Sequence, residues 1–127
     1  MKFEHYALNV PDARAMAKWY VEHCEMSIAL SMQDEPFMHF LADASGRIVV
    51  EIYTNKKAEI PDYFNQHPLI FHHAFAVDDP ERTKEKLLAA GASFFEKVDL
   101  KDGSVLLMLR DPWGIPLQLC KRAKAFN

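Results

Sequence analysis

The sequence predicts an α+β protein built from two tandem βαβββ modules. Three observations support this: a strand-like octapeptide occurs twice, the copies are 67 residues apart, and the same order of helix and strand signals follows each copy. HYALNVPD at positions 5–12 matches HHAFAVDD at 72–79, so His5 corresponds to His72. Further along the chain, residues 47–52 align with residues 114–119 at the same offset and without a gap. A duplication explains both matches.

The first module is predicted to cover residues 1–54. It begins with an alternating strand at Phe3–Val10, and Asp12 then suits the N-cap of a helix with an apolar stripe that includes Met16 and Tyr20. Turn signals separate three further strands, which are expected to form a meander. These strands are Ser27–Gln33, Phe37–Ala42 and Arg47–Thr54.

The second module is predicted to cover residues 69–122 and repeats this order. A strand at Leu69–Val77 precedes a helix with Asp79 as its N-cap, Pro80 at its first position and Gly91 at its end. Its meander strands are Ser93–Val98, Val105–Arg110 and Ile115–Lys121, with the DPWG sequence at 111–114 suiting a type I turn.

A polar segment with two prolines, Asn55–Pro68, is interpreted as the linker between the modules, and Arg122–Asn127 as a tail. The chain has 127 residues, which is too few for two independent domains. We therefore expect a single domain over 1–127 with an internal repeat.

Composition excludes several classes of function. Half of the residues are apolar, and the net charge of −3 comes without a basic cluster, which argues against nucleic-acid and anionic-membrane partners. The first residues are typical of a strand rather than a signal peptide, and no apolar run is long enough for a membrane span, so a cytoplasmic protein is expected. Cys24 and Cys120 are expected to be reduced packing residues.

Polar residues recur at equivalent places in the two modules. Because side chains alternate along a strand, His5 should share a face with Ala7, opposite the residues that pack under the helix. Glu51 lies between Val50 and Ile52, where a carboxylate needs a compensating partner. The same spacing of 46 residues separates His5 from Glu51 and His72 from Gln118. Two nitrogens and two oxygens could thus close around a divalent cation.

These residues carry a resemblance to a known family. HYALNVPD before a helix containing Trp19-Tyr20, HHAFAVDD, the run at 87–91 and DPWGIPLQL resemble recurring segments of the vicinal oxygen chelate superfamily. That superfamily includes glyoxalase I, extradiol dioxygenases and bleomycin-resistance proteins. The resemblance covers nearly the whole chain and implies that the two modules form an incomplete barrel with the helices outside.

The resemblance also implies a metal-dependent lyase or isomerase of glyoxalase type. His5, Glu51, His72 and Gln118 match the family's metal ligands, and Glu51 would also serve as the catalytic base. The metal in such enzymes binds two adjacent substrate oxygens and stabilises negative charge on them. Zn, Ni, Mn, Co and Fe all suit these ligands, so the sequence does not identify the metal ion. A small-molecule substrate and a homodimer are implied as partners.

Gln118 departs from the family pattern, which usually has Glu at this position. The loss of one carboxylate weakens the case for an extradiol-type dioxygenase and leaves open a metal-free, antibiotic-type binding protein of the same fold. Four further residues are candidates for substrate contacts, although packing roles are an alternative for them. They are Asn9, His39, Tyr53 and Trp113.

Overall fold

The computed structural model describes residues 1–126 and divides into two compact units. The first unit is Met1–Pro61, and the second begins at Asp62. The boundary falls inside the segment predicted as the linker. Each unit contains one α-helix and one four-stranded sheet in the order βαβββ, which confirms the α+β class and the two modules.

The sheet of the first unit is mixed. Its elements are β1 (Tyr6–Asn9), α1 (Ala13–His23), β2 (Ser27–Ser31), β3 (His39–Ala42) and β4 (Ile48–Tyr53). The strand order is β1-β4-β3-β2, with β1 parallel to β4 and the other neighbours antiparallel. Strands β1 and β4 are therefore adjacent although the helix and two strands separate them in the chain.

Helix α1 buries one side against strands β2, β3 and β4. The Asp12 side chain caps the helix by accepting a 3.0 Å hydrogen bond from the Ala15 amide. Met16 and Tyr20 are buried, as are Val50 and Ile52 on the helix-facing side of the sheet. Glu51, between the last two, therefore projects from the opposite side.

The second unit repeats this arrangement. A 3₁₀ turn at Tyr63–Asn65 precedes β5 (His73–Ala76), α2 (Pro80–Ala89), β6 (Ser93–Asp99), β7 (Val105–Arg110) and β8 (Pro116–Lys121). The strand order is β5-β8-β7-β6, and β5 runs parallel to β8. Buried leucines from α2, β7 and β8 form the core of this unit: Leu87, Leu107, Leu109, Leu117 and Leu119.

The predicted cap and end of the second helix and the turn before the last strand are confirmed. Asp79 caps α2 through the Arg82 amide, and Gly91 follows the helix with φ +103°. In the DPWG turn, the Gly114 amide donates to the Asp111 carbonyl at 2.9 Å. No strand or helix follows Lys121 in the part of the tail that the structure describes, and Asn127 lies outside it.

The first strand of each module is shorter than predicted. Pairing of β1 with β4 begins at Tyr6, and pairing of β5 with β8 begins at His73. The Phe3 carbonyl instead accepts a hydrogen bond from the Arg47 side chain, and residues 68–71 form a turn. His5 and His72 therefore lie immediately before a strand rather than inside one. No helix within residues 1–126 combines the length and hydrophobicity needed to cross a bilayer.

Candidate functional site

Glu51 occupies the centre of the first sheet. Its Cα partners are Ala7 on the parallel strand β1 and Phe40 on the antiparallel strand β3. Partners in register point to the same side of a sheet, so all three side chains share the side that does not face α1. The Glu51 side chain is 21% exposed. A half-buried carboxylate in this position needs a positively charged or hydrogen-bonding partner.

His5 supplies that partner. Its Nε2 lies 3.3 Å from Oε2 of Glu51, and its side chain is 25% exposed. The imidazole packs edge-on against the ring of Phe40, with ring centroids 5.0 Å apart. The structure thus brings together His5 and Glu51, two of the four predicted metal ligands.

A carboxylate faces each ring nitrogen of His5. On the other side of the ring, Nδ1 lies 2.9 Å from Oε1 of the neighbouring residue Glu4. A neutral imidazole carries one N–H and can satisfy only one of these acceptors. The remaining nitrogen lone pair would then face a carboxylate oxygen, which is electrostatically unfavourable. The arrangement therefore calls for either a second proton on the ring or a cation shared by a ring nitrogen and a carboxylate.

The spacing of His5 and Glu51 suits a shared metal ion. Imidazole nitrogen and carboxylate oxygen bind divalent zinc at about 2.0–2.2 Å, which places two ligands of one ion about 3.0–3.4 Å apart at tetrahedral or octahedral angles. The observed 3.3 Å between Nε2 and Oε2 lies within that interval. A nitrogen and oxygen donor set is compatible with several first-row metals.

The corresponding residues of the second unit are held differently. Nδ1 of His72 donates to the Pro68 carbonyl at 2.9 Å, which leaves Nε2 with a free lone pair. Oε1 of Gln118 accepts a 3.2 Å hydrogen bond from the Cys120 thiol, whose pKa is raised by burial. Within residues 1–126, His72 and Gln118 are each hydrogen-bonded to these partners rather than to each other.

An alanine lies beside the oxygen donor in each unit. Ala7 is the β1 partner of Glu51, and Ala74 is the β5 partner of Gln118, at equivalent positions of the repeat. Both alanines are exposed. A methyl group covers little of the neighbouring side chain, so in each unit the oxygen donor stays accessible from the flanking strand.

The residues predicted to contact substrate do not all lie on the side of the sheet that carries Glu51. His39 is 6% exposed and pairs with Ile52 on the helix-facing side, opposite Glu51, where its Nδ1 bonds the Phe37 carbonyl. Asn9 bonds the segment after β4, donating to the Asn55 carbonyl at 2.9 Å and accepting from the Asn55 amide at 2.8 Å.

The other two predicted substrate-contact residues, Tyr53 and Trp113, are half-buried. Tyr53 pairs with Asn9, on the same side of the sheet as Glu51. The backbone amide of Trp113 donates to the Asp111 side chain within the DPWG turn. Of the four residues, Asn9 and Tyr53 thus share the side of the sheet that carries His5 and Glu51.

The described part of the chain contains no cluster of three or more His, Cys, Asp or Glu side chains arranged to hold a metal ion. The pair His5 and Glu51 supplies two donors within the first unit. Water or substrate oxygens complete the coordination of many catalytic metal ions. The residues present therefore fit a catalytic ion with open positions better than a closed structural one.

The partners at Nδ1 of the two histidines were not predicted from the sequence. Glu4 adjoins His5 in the sequence, and a carboxylate next to a candidate histidine ligand is a signal that could have been recognised. The Pro68 carbonyl is a backbone group whose position depends on the turn before β5, so no side-chain pattern identifies it.

The chain belongs to the Glyoxalase/Bleomycin resistance protein/Dioxygenase superfamily. The family profile matches residues 2–119, which cover most of both modules and all four predicted ligands. No curated protein shows significant similarity to the sequence.

Solved structures of this superfamily share the fold at low sequence identity. A glyoxalase family protein from Bacillus cereus has a TM-score of 0.75 at 13% identity, over 95% of this chain and 93% of that one. A glyoxalase/bleomycin resistance protein from Albidiferax ferrireducens T118 has a TM-score of 0.64 at 21% identity, over 94% and 98%. Lactoylglutathione lyase from Agrobacterium tumefaciens has a TM-score of 0.68 at 16% identity, over 96% and 94%.

Proposed function

We propose that the protein is a divalent-metal-dependent lyase or isomerase that acts on a small molecule with two adjacent oxygens. His5 and Glu51 would be the metal-binding pair of the first unit, and His72 and Gln118 the corresponding pair of the second. The observation that carries the proposal is the His5 imidazole with a carboxylate oxygen at each nitrogen, one of them 3.3 Å away on Glu51. Membership of the superfamily supports it.

The protein's own residues would perform the proton chemistry. A bound divalent ion would supply a Lewis acid that polarises the substrate oxygens. Glu51 is half-buried beside the small residue Ala7, so a substrate carbon could approach its carboxylate from that strand. Its Oε1 would then accept a proton at one carbon and return it to the next.

Metal titration tests the proposal directly. Protein freed of metal with a chelator is titrated calorimetrically with Co²⁺, Ni²⁺, Zn²⁺, Mn²⁺ and Fe²⁺, alongside His5→Ala, His72→Ala and the control His23→Ala at the end of α1. We expect stoichiometric binding by wild type and His23→Ala, and weakened binding by the other two variants. Stoichiometric binding that survives both His5→Ala and His72→Ala would contradict the proposal.

Catalysis needs a separate assay with a panel of compounds, because the substrate is not identified. Incubation in heavy water with a panel of small vicinal hydroxy-carbonyl compounds should give metal-dependent deuterium incorporation next to the carbonyl. Glu51→Gln should abolish that exchange, because an amide cannot accept the proton. Exchange that persists in Glu51→Gln would exclude Glu51 as the base.

A metal-free binding protein is the second candidate, and Gln118 favours it. Its neutral amide adds no charge to a metal site, and its oxygen is already engaged by the Cys120 thiol. On this alternative, the open side of each sheet would bind a small molecule without a metal. Binding of a small molecule from the same panel with equal affinity in buffer and in EDTA would favour this candidate over the enzyme.

We also propose that the protein forms a homodimer in the cytoplasm. Strand β2 is an edge strand of the first sheet, and it is exposed and free of charged residues. Such edges tend to be covered by another strand. Cys24 and Cys120 are not joined in a disulfide, as is usual in a reducing compartment. Sedimentation equilibrium should give a dimer mass, and Leu30→Lys on β2 should shift it toward the monomer.

A further inference from the structure

Glu4 has a defined place beside the candidate metal ligand His5. Its Oε1 lies 2.9 Å from Nδ1 of His5, on the side of the ring opposite Glu51. The Glu4 side chain is otherwise largely exposed, at 82%. Burial therefore does not explain its position, and His5 is the neighbour to which its carboxylate is directed.

We propose that Glu4 is a positioning residue that keeps the proton of neutral His5 on Nδ1 and so presents the Nε2 lone pair to a cation at Glu51. This inference rests on the proposed function. The contact between Glu4 and Nδ1, at 2.9 Å, is shorter than the 3.3 Å between Nε2 and Glu51. A single ring proton is therefore better placed on Nδ1. Hydrogen bonding of the second ring nitrogen to a carboxylate also makes a histidine a stronger ligand.

The second unit supports this role independently. His72 is the repeat counterpart of His5, and its Nδ1 is likewise occupied, by the Pro68 carbonyl at 2.9 Å. The counterpart of Glu4 in that unit is Phe71, which offers no side-chain acceptor. The two units thus engage the same nitrogen with different acceptors, a side chain in one and a backbone carbonyl in the other. A shared requirement for a free Nε2 accounts for this coincidence.

The first measurement is the tautomer of His5 in protein freed of metal. Long-range ¹⁵N NMR at a pH where imidazole is neutral distinguishes N–H on Nδ1 from N–H on Nε2. Wild type should have the proton mainly on Nδ1. Glu4→Ala should move it toward Nε2, because the Glu51 carboxylate is then the remaining acceptor. Glu4→Gln should restore the wild-type tautomer because its amide oxygen can accept the same hydrogen bond.

The second measurement is Co²⁺ affinity of the same proteins by calorimetry. Glu4→Ala should bind about 10- to 100-fold more weakly, with Glu4→Gln closer to wild type. The control Glu96→Ala removes another exposed carboxylate, on β6, and should change neither the tautomer nor the affinity.

The two readouts separate the positioning role from the proposed function. A tautomer that shifts in Glu4→Ala while wild type fails to bind any metal would support the positioning role and contradict the metal-dependent function. An unchanged tautomer in Glu4→Ala would overturn the positioning role, whether or not the affinity falls. A shifted tautomer with unchanged Co²⁺ affinity would overturn it as well.

Discussion

His5 and Glu51 are 46 residues apart in the chain, yet Nε2 of one lies 3.3 Å from Oε2 of the other. Strand β1 pairs in parallel with β4, and the register places Ala7 opposite Glu51, so the residue two positions before Ala7 reaches the same side of the sheet. A parallel pair needs a long crossover, here the helix and two strands between β1 and β4. The contact is therefore a product of the βαβββ topology.

Glu51→Gln should weaken metal binding by at least about tenfold, because the substitution removes the carboxylate that faces His5 but keeps a similar shape. Calorimetric titration with Co²⁺ measures the change. Glu35→Gln, which alters an exposed carboxylate paired with Lys56, provides the matched control. Equal affinities for wild type and Glu51→Gln would remove Glu51 from the list of ligands.

Gln118→Glu should strengthen metal binding, because an anionic oxygen binds a divalent ion better than an amide oxygen does. We expect a gain of about tenfold, with a loss of stability when no metal is bound, since a charge then replaces the neutral amide of a half-buried residue. Co²⁺ calorimetry and urea unfolding in EDTA measure the two effects. Unchanged affinity would show that position 118 lies outside the metal site.

Gly114→Ala should destabilise the protein more than Gly103→Ala. Both glycines have φ near +90°, which costs an L-residue about 1–2 kcal/mol. A Cβ on Gly114 would also lie 2.6 Å from the Phe64 ring and 2.8 Å from its backbone nitrogen, whereas nothing lies within 4 Å at Gly103. The clash should add about 1–3 kcal/mol to the loss in unfolding free energy. Equal losses in urea unfolding would argue against this packing.

Glu25→Gly should stabilise the protein by about 0.5–1 kcal/mol. Glu25 follows α1 with φ +56°, a left-handed conformation that costs an L-residue about 1–2 kcal/mol. Glycine removes that cost but adds about 0.5–1 kcal/mol through its freedom in the unfolded chain. Glu22→Gly, inside α1, should instead destabilise by about 1 kcal/mol. Destabilisation by both variants in urea unfolding would contradict the left-handed backbone conformation of Glu25.

His73 should make the protein acid-sensitive. Burial, with a smaller effect of His72, lowers the pKa of His73 from 6.5 to about 4, so the unfolded chain binds the proton first as pH falls. The stabilising contribution is complete above pH 6.5 and is lost as pH falls toward 4. Because part of the residue remains accessible, we expect a loss of about 1–2 kcal/mol.

Urea unfolding between pH 7 and 4 measures this loss, and His73→Phe should flatten the dependence because it removes the titrating group. His23→Gln, at the end of α1, serves as the control that keeps His73. If the unfolding free energy changes with pH by the same slope in wild type and in His73→Phe, the acid sensitivity belongs to other groups.

Much of the fold could be predicted because its signals are local. Asp12 and Asp79 cap their helices as their positions before apolar stripes predict, and Gly91 ends α2. Strand ends were less predictable: alternation continues to Phe3 and Leu69, but pairing starts only at Tyr6 and His73. The alternation of apolar and polar residues indicates which side of a strand each residue faces, but it does not indicate whether a neighbouring strand is there to pair with it.

The duplication, the order of elements and the equivalence of His5 with His72 could be predicted from the residues alone, because hydrophobic periodicity and turn residues are properties of short segments. The groups that contact the two imidazoles follow instead from how the strands pair and pack. The register of β1 on β4 brings Glu51 to His5, and the turn before β5 brings the Pro68 carbonyl to His72. Such contacts depend on the positions of atoms to within a few tenths of an ångström, which packing of the whole unit sets and residue types alone do not.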